Sequence, residues 1–370
     1  MGELICILGT RPEAIKLAPL VHALRDAGAK SRIWLTGQHT TLAANALADF
    51  GLEADRDLAC APPQPDLAAL HARVLERLAP LLAEAMPAGV IVQGDTTSAL
   101  AAATAAYYAR VPCAHVEAGL RSRDFNAPWP EEMNRVLTDR LCGRHYAPTA
   151  GARENLLREG IREADIVVTG QTGVDAVLYA ASRLTEMPAA LAPLLTPRPA
   201  KLVYATAHRR ENQGGGIARI VEGLRLSLAR NPELLVLLAA HPSPDVRREL
   251  ATVSHPRLKV TEPLGYAASV WMLKHADAIV SDSGGIQEEA PCFGTPVLVT
   301  RDVTERPEGL SAGFLKLVGT DADTVSRELG RTLADAGLRA RLQATPNPYG
   351  DGKAAQRIAT DLLHWTGGAS

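Results

Sequence analysis

Short runs of solid apolar or β-branched residues recur along the chain, and each is followed by a segment of helical periodicity or high alanine content. Leu4 to Leu8, Arg32 to Thr36, Val90 to Gln93, Cys113 to Val116 and Ile166 to Thr169 form a first series. Strands that are apolar throughout are buried on both faces, and parallel strands need crossover helices to connect them, so the pattern demands βαβ units. A proline-rich interval follows (Pro188, Pro193, Pro197, Pro199). The pattern then restarts with Lys201 to Thr206, Leu234 to Ala239, Leu258 to Thr261, Ala278 to Ser281 and Pro296 to Val299. The expected fold class is therefore α/β, with two Rossmann-like domains facing a central cleft. The expected bounds are 1–171, 172–352 and a last helix at 353–370. A length of 370 residues suits two domains.

Ligands in open parallel sheets sit at the carboxyl ends of the strands, so whatever follows each strand should carry the chemistry. Leu8 leads into Gly9-Thr10-Arg11-Pro12-Glu13, Gln93 into Gly94-Asp95-Thr96-Thr97, and Val116 into Glu117-Ala118-Gly119-Leu120-Arg121. In the second half Thr206 leads to Ala207-His208-Arg209-Arg210-Glu211, and Ser281 to Asp282-Ser283-Gly284-Gly285.

Thr10 and Glu13 have the spacing of a capping box, with Pro12 in the first turn, so a helix starts here. With Arg11 and Lys16 nearby, its free N–H groups suit an anion such as a phosphate. Ser283, Gly284 and Gly285 form a tight turn whose backbone N–H groups can approach a diphosphate, and Glu289, one turn on, can accept from ribose hydroxyls. Asp95, Glu117 and Glu131, the last on the rigid loop Pro128-Trp129-Pro130, are carboxylates placed for acid–base work.

Several classes are excluded. Lys+Arg 39 against Asp+Glu 41 leaves a net charge of −2, which speaks against a nucleic-acid partner. No run approaches the roughly 18 apolar residues of a membrane span, and Met1-Gly2-Glu3 enters the first strand without a basic leader, so no membrane partner and a cytoplasmic location are expected. The five scattered cysteines make no C-x-x-C pair. His208 and His241 lack metal-ligand spacing, so no metal and no cofactor are expected. There is no P-loop and no G-x-G-x-x-G after a strand.

Gly-Thr-Arg-Pro-Glu-Ala-Ile-Lys at 9–16, Gly-Asp-Thr-Thr at 94–97, His-Val-Glu-Ala-Gly-Leu-Arg at 115–121, Pro-Trp-Pro-Glu-Glu-x-Asn-Arg at 128–135, His-Arg-Arg-Glu-Asn at 208–212, Asp-Ser-Gly-Gly-Ile-Gln-Glu-Glu-Ala-Pro at 282–291 and Thr-Glu-Arg-Pro-Glu at 304–308 closely resemble the non-hydrolysing UDP-N-acetylglucosamine 2-epimerases. That resemblance implies a glycosyltransferase-like GT-B fold, a last helix crossing back to the first domain, a homodimer, and interconversion of UDP-GlcNAc with UDP-ManNAc for cell-surface polysaccharide. It implies Asp95, Glu117 and Glu131 as essential carboxylates, with His208 among the catalytic groups. Arg11 and Lys16 fall around the diphosphate and sugar, and Ser283, Gly284, Gly285, Glu289 and Arg306 in the UDP-binding set. Relatives often carry glutamines near Thr41 and Asn45 that belong to a second, allosteric sugar-nucleotide site, so their absence implies that this site is missing here. A 2-epimerase of a 3-acetamido or uronate UDP-sugar, a retaining glycosyltransferase and a catalytically dead UDP-sugar sensor are the alternatives; the presence of all three carboxylates disfavours the sensor.

Overall fold

The structure is a computed structural model that describes residues 2–207, 214–240, 244–250 and 253–367. It divides into two units, one running to Ala176 and resuming at Tyr349, the other spanning Val177–Pro348.

The first unit carries a seven-stranded sheet made of β1 (Leu4–Leu8), β2 (Ser31–Leu35), β3 (Arg56–Asp57), β4 (Gly89–Gln93), β5 (Cys113–Val116), β6 (Arg144–Ala147) and β7 (Ile166–Val168). Its order is β3-β2-β1-β4-β5-β6-β7, every pair is parallel, and β1 registers on β4 as Leu4 with Gly89 and Cys6 with Ile91. The second unit carries β8 (Lys201–Ala207), β9 (Leu234–Ala240), β10 (Leu258–Thr261), β11 (Ala278–Ser281), β12 (Val297–Val299) and β13 (Leu315–Leu317), in the order β10-β9-β8-β11-β12-β13. Both sheets are doubly wound. The order reverses at β1/β4 in one and at β8/β11 in the other, and the loops leaving those strands diverge to opposite faces. Such a switch point opens a crevice at the carboxyl edge.

Burial explains the strand runs. All five residues of β1 and of β4 are buried, and one core cluster joins Ile5, Ile7, Val90 and Val92 to the small side chains of helix Thr97–Tyr108. Alanines there let the helix lie close on the sheet. Three strands escape the sequence reading. β6 reads Arg-His-Tyr-Ala yet is largely buried, because its polar groups are consumed internally: His145 Nε2 pairs with Asp139 O at 2.8 Å and the Tyr146 hydroxyl donates to Asp361. β3 and β13, of two and three residues, lie at sheet edges and are too short to leave a periodic signal.

The final helix, Ala354–Gly367, packs on helix Arg11–Asp26 of the first unit. The Asp175 carboxylate accepts the free N–H groups of Ala354 and Ala355 at 3.2 and 2.9 Å, and Arg144 grips Asp361 through Nε at 2.8 Å. Burial raises the Asp175 pKa to about 6 against the pull of those N–H donors. Among the described residues, no helix is long and apolar enough to cross a membrane.

Candidate active site

After β1 the chain enters helix Arg11–Asp26, with Thr10 as N-cap at φ −134°, ψ 167°. The helix start falls where the sequence places it, but the hydroxyl half of the capping box does not form. The Thr10 hydroxyl accepts no backbone N–H; it donates to Glu13 Oε2 at 2.6 Å, and the same oxygen accepts the Gly9 N–H at 3.2 Å. Glu13 Oε1 accepts from the Thr96 hydroxyl of the turn after β4 at 2.9 Å. Gly9 must be glycine, since a Cβ there would lie 2.3 Å from Ser98 Oγ. Arg11 stands half-buried at the first helical position. One turn further on, Lys16 points its ammonium at Glu117.

Glu117 follows β5 in the left-handed region at φ +69°, a conformation that costs a non-glycine residue about 1 kcal/mol or more and persists only where the surroundings dictate it. Those surroundings are specific. Lys16 Nζ and Gln93 Nε2, the latter at 3.1 Å, both donate to Glu117 Oε2, and the carboxylate is buried. On the far side of the turn, the Gly119 N–H donates to Asp139 Oδ2 at 3.3 Å. Asp139 also accepts from Arg121 at 2.7 Å and pairs with His115 at 2.6 Å, and His115 Nε2 meets Gly94 O at 2.8 Å. Burial alone would raise the Asp139 pKa, but His115 and Arg121 hold it down at about 2. A buried charged network thus underlies both the Gly94 and the Glu117 turns.

Asp95 follows β4. Its side chain pairs with Arg135, which also donates to Glu132 at 3.0 Å, and Asn134 Nδ2 donates to Asp95 O at 2.9 Å. Burial disfavours the Arg135 charge, yet Asp95, then Glu132 and Glu117, more than offset this, and its pKa rises. Arg135 therefore sits in the field of both Asp95 and Glu117. Glu131 takes the first position of helix Glu131–Leu141, half-buried, with no side-chain ion pair or hydrogen bond among the described residues. The loop fixes its neighbour instead: Glu132 accepts the N–H groups of Ser122 and Arg123 at 3.0 and 2.8 Å.

In the second unit, helix Gly284–Glu289 begins directly after Ser283, so Gly284 and Gly285, expected in a tight turn, open the helix. Thr206 at the end of β8 and Ser281 at the end of β11 share a hydroxyl contact of 2.6 Å, and Ser281 Oγ accepts the Ser283 N–H at 3.0 Å. Arg306 lies over Gly284, where a Cβ would come 2.8 Å from its guanidinium carbon. Glu288 takes Arg306 Nε at 2.8 Å, and Glu305 takes its Nη1 at 3.3 Å. Burial works to raise the Glu305 pKa, but Arg301 and Arg306 hold it at about 2, so the acid stays ionised. Gly285 and Glu289 are half-buried on the same turn. His208 and His241 lie outside the described residues. Among the described residues, no group of three or more His, Cys, Asp or Glu could hold a metal ion.

The first unit thus gathers Lys16, Gln93, Asp95, Glu117 and Arg135, and the second gathers Ser283, Gly284, Glu288 and Arg306. Gln93, Arg135 and Glu288 were not singled out from sequence, whereas Glu132 was read beside Glu131 as a carboxylate of the first domain. The i, i+3 spacing of Glu132 and Arg135 was a usable signal. Nothing local marks Glu288 as the partner of an arginine eighteen residues on.

Comparison with known proteins fits this arrangement. The family model described as UDP-N-acetylglucosamine 2-epimerase matches residues 22–363. The UDP-N-acetylglucosamine 2-epimerase of Escherichia coli K12 is 41% identical over 97% of this chain and 98% of its own length, and that of Yersinia pestis is 42% identical over the same shares. Among solved structures, S. aureus MnaA with UDP superposes at a TM-score of 0.91, with 36% identity over 99% of this chain and 97% of the other. The Neisseria meningitidis UDP-GlcNAc 2-epimerase bound to UDP-GlcNAc gives the same TM-score and identity over 98% and 100%.

Proposed function

The chain belongs to the UDP-N-acetylglucosamine 2-epimerase family, and from that premise we propose that it interconverts UDP-GlcNAc and UDP-ManNAc by eliminating UDP to a 2-acetamidoglucal and adding it back. The observation that carries this reading is the pair of carboxylates Glu117 and Asp95 at adjacent strand ends, each held by a cation, Lys16 and Arg135.

The chemistry explains why such a set is needed. C2 of the sugar bears an amide nitrogen and no adjacent carbonyl, so a carboxylate cannot remove its proton directly. Breaking the C1–O bond creates an oxocarbenium-like centre, and the C2 proton then becomes acidic. Loss of that proton gives the glycal; protonation from the other face and return of UDP to C1 complete the inversion. Carboxylates stabilise the cationic centre and move the proton, while Lys16 and Arg135 supply positive charge within the same group. Glu131, unpaired among the described residues at its helix start, is assigned to the same acid–base set, and His208, with Arg11, to the diphosphate and sugar. Ser283, Gly284, Gly285, Glu289 and Arg306 are assigned to UDP.

The test is incubation with UDP-GlcNAc in deuterated water. Deuterium at C2 and formation of UDP-ManNAc, undiminished by EDTA and without an acceptor, support the reading. Absence of exchange, or an absolute need for an acceptor, overturns it. We also propose a homodimer, supported by exposed Tyr107 and Tyr108 on helix Thr97–Tyr108 and exposed Met133 and Leu137 on the helix packed against it; light scattering at twice the 39.3 kDa chain mass is the expected result.

A further inference from the structure

Glu13 is a buried carboxyl that the proposed chemistry does not use. It is 1% exposed. Donors from two turns converge on it: the Gly9 N–H at 3.2 Å and the Thr10 hydroxyl at 2.6 Å from the turn after β1, and the Thr96 hydroxyl at 2.9 Å from the turn after β4. Thr96 Oγ1 in turn accepts the Ala99 N–H at 3.0 Å as N-cap of helix Thr97–Tyr108. Ala99, Thr96, Glu13 and Thr10 thus form one hydrogen-bonded chain across the β1/β4 switch point, where the sheet order reverses and the two loops part.

A carboxyl in this place is costly. Burial drives the Glu13 pKa to about 7 although every donor pulls it down, and a well-packed apolar residue would avoid that penalty. An acid that served only the helix dipole would do so from solvent, without being enclosed. We propose that Glu13 is a positioning residue, a clasp between the turns after β1 and β4 that keeps Lys16 of one in register with Asp95 of the other. This rests on the epimerase reading, since that reading makes those groups act on one substrate.

The experiment is steady-state kinetics and UDP calorimetry on the full-length protein carrying Glu13→Ala, Glu13→Gln, Thr96→Val or the pair Glu13→Ala with Thr96→Val. Releasing the clasp lets the reacting groups drift by a fraction of an ångström to an ångström, so Glu13→Ala is expected to lower kcat by about 10²-fold, with KM within about 3-fold and UDP affinity unchanged. Glu13→Gln keeps an acceptor for Thr10 and Gly9 and turns an amide N–H to Thr96, so it recovers most of the loss. Thr96→Val lowers kcat from the other side, and the double variant is no slower than the slower single, because one linkage can be broken only once. Should Glu13→Ala fail to fold, Glu13→Gln and Thr96→Val carry the comparison. A kcat within about 3-fold of the parent for Glu13→Ala or Thr96→Val, multiplying effects in the double variant, or a loss confined to UDP affinity overturns the clasp. An unsubstituted enzyme that does not exchange C2 overturns the epimerase reading and the clasp with it; an active parent indifferent to Glu13→Ala overturns the clasp alone.

Discussion

The two sheets reverse their order in the same way, yet they furnish their switch points with different chemistry. At β1/β4 the edge is stocked with titratable groups: Glu13 between the turns, Lys16 on Glu117, Arg135 on Asp95. At β8/β11 the strand ends meet through two neutral hydroxyls, Thr206 and Ser281, and the turn beyond them is glycine backbone covered by Arg306. Acids are present there too, but Glu288 and Glu305 are spent holding that guanidinium. A carboxylate can take and return a proton; a glycine turn can only let a ligand come close. On the proposed reading, the contrast teaches that one topology can serve as a reacting edge or as a holding edge, according to what its loops project.

The largest expected effect falls on the reacting edge. Glu117→Gln keeps the size of the side chain and removes the carboxylate that the proposed chemistry uses, so turnover should fall by at least ~10²-fold while UDP affinity stays close to the parent value. Asp95→Asn should do the same. Calorimetry with UDP beside C2 deuterium exchange reads both quantities, and lost UDP affinity with unchanged turnover breaks the comparison.

A second test uses pH. The folded pKa of Glu13, about 7, lies above its ordinary value of 4.5, so between these values the folded chain binds more protons than the unfolded one. Stability contributed here is present at low pH and falls as pH rises from about 4.5 to about 7, by at most about 3.5 kcal/mol at 1.4 kcal/mol per unit. Asp175, raised from 3.8 to about 6, adds a fall of the same sign in the same structural unit between those pH values. Asp139 acts oppositely: held at about 2, it stabilises above its ordinary 3.8 and loses that contribution as pH falls toward 2. Urea unfolding across pH 2 to 8 should therefore fall less steeply above pH 4.5 in Glu13→Gln while its acid limb remains, and an unaltered slope would remove Glu13 as its source.

On the holding edge, Glu289→Ala should weaken UDP binding by roughly 1–3 kcal/mol, the scale of a hydrogen bond to a charged group, with little change in kcat once UDP-GlcNAc saturates. Unchanged affinity would make Glu289 a helix acid and nothing more.

How much of this was legible in the sequence follows from what leaves a local trace. Fully buried strands such as Leu4–Leu8 and Gly89–Gln93 announce themselves as apolar runs, and the polar tetrads that follow them mark the carboxyl edge. Arg144–Ala147 left no such trace, because it buries polar residues whose partners, Asp139 and Asp361, stand elsewhere in the chain. The site divides likewise. Asp95, Glu117 and Lys16 were readable as strand-end or helix-start residues, whereas the cations and amide that set their state, Arg135 and Gln93 included, became visible only through tertiary contacts. Glu13 was read from its spacing as half of a capping box; the Thr96 hydroxyl, eighty-three positions away, claims its second oxygen.

The smallest expected effect is none, and it guards the division of labour between the two edges. A second sugar nucleotide bound on the first unit would make that unit a holding surface as well as a reacting one. Such a molecule brings a diphosphate and sugar hydroxyls whose desolvation must be offset by donors that reach them. Helix Thr40–Asp49 offers Thr41 and Asn45, both exposed and both short, where the second site implied by the family resemblance needs the reach of glutamine amides. An effector shifts a conformational equilibrium only by its difference in affinity for the two states, so a surface that cannot bind it cannot transmit it. Started from UDP-ManNAc alone, the enzyme should therefore turn over without a lag, and its rate should rise hyperbolically with substrate. A lag abolished by a trace of UDP-GlcNAc, or a sigmoidal curve, would show that other residues rebuild the second site and that the first unit holds nucleotide after all.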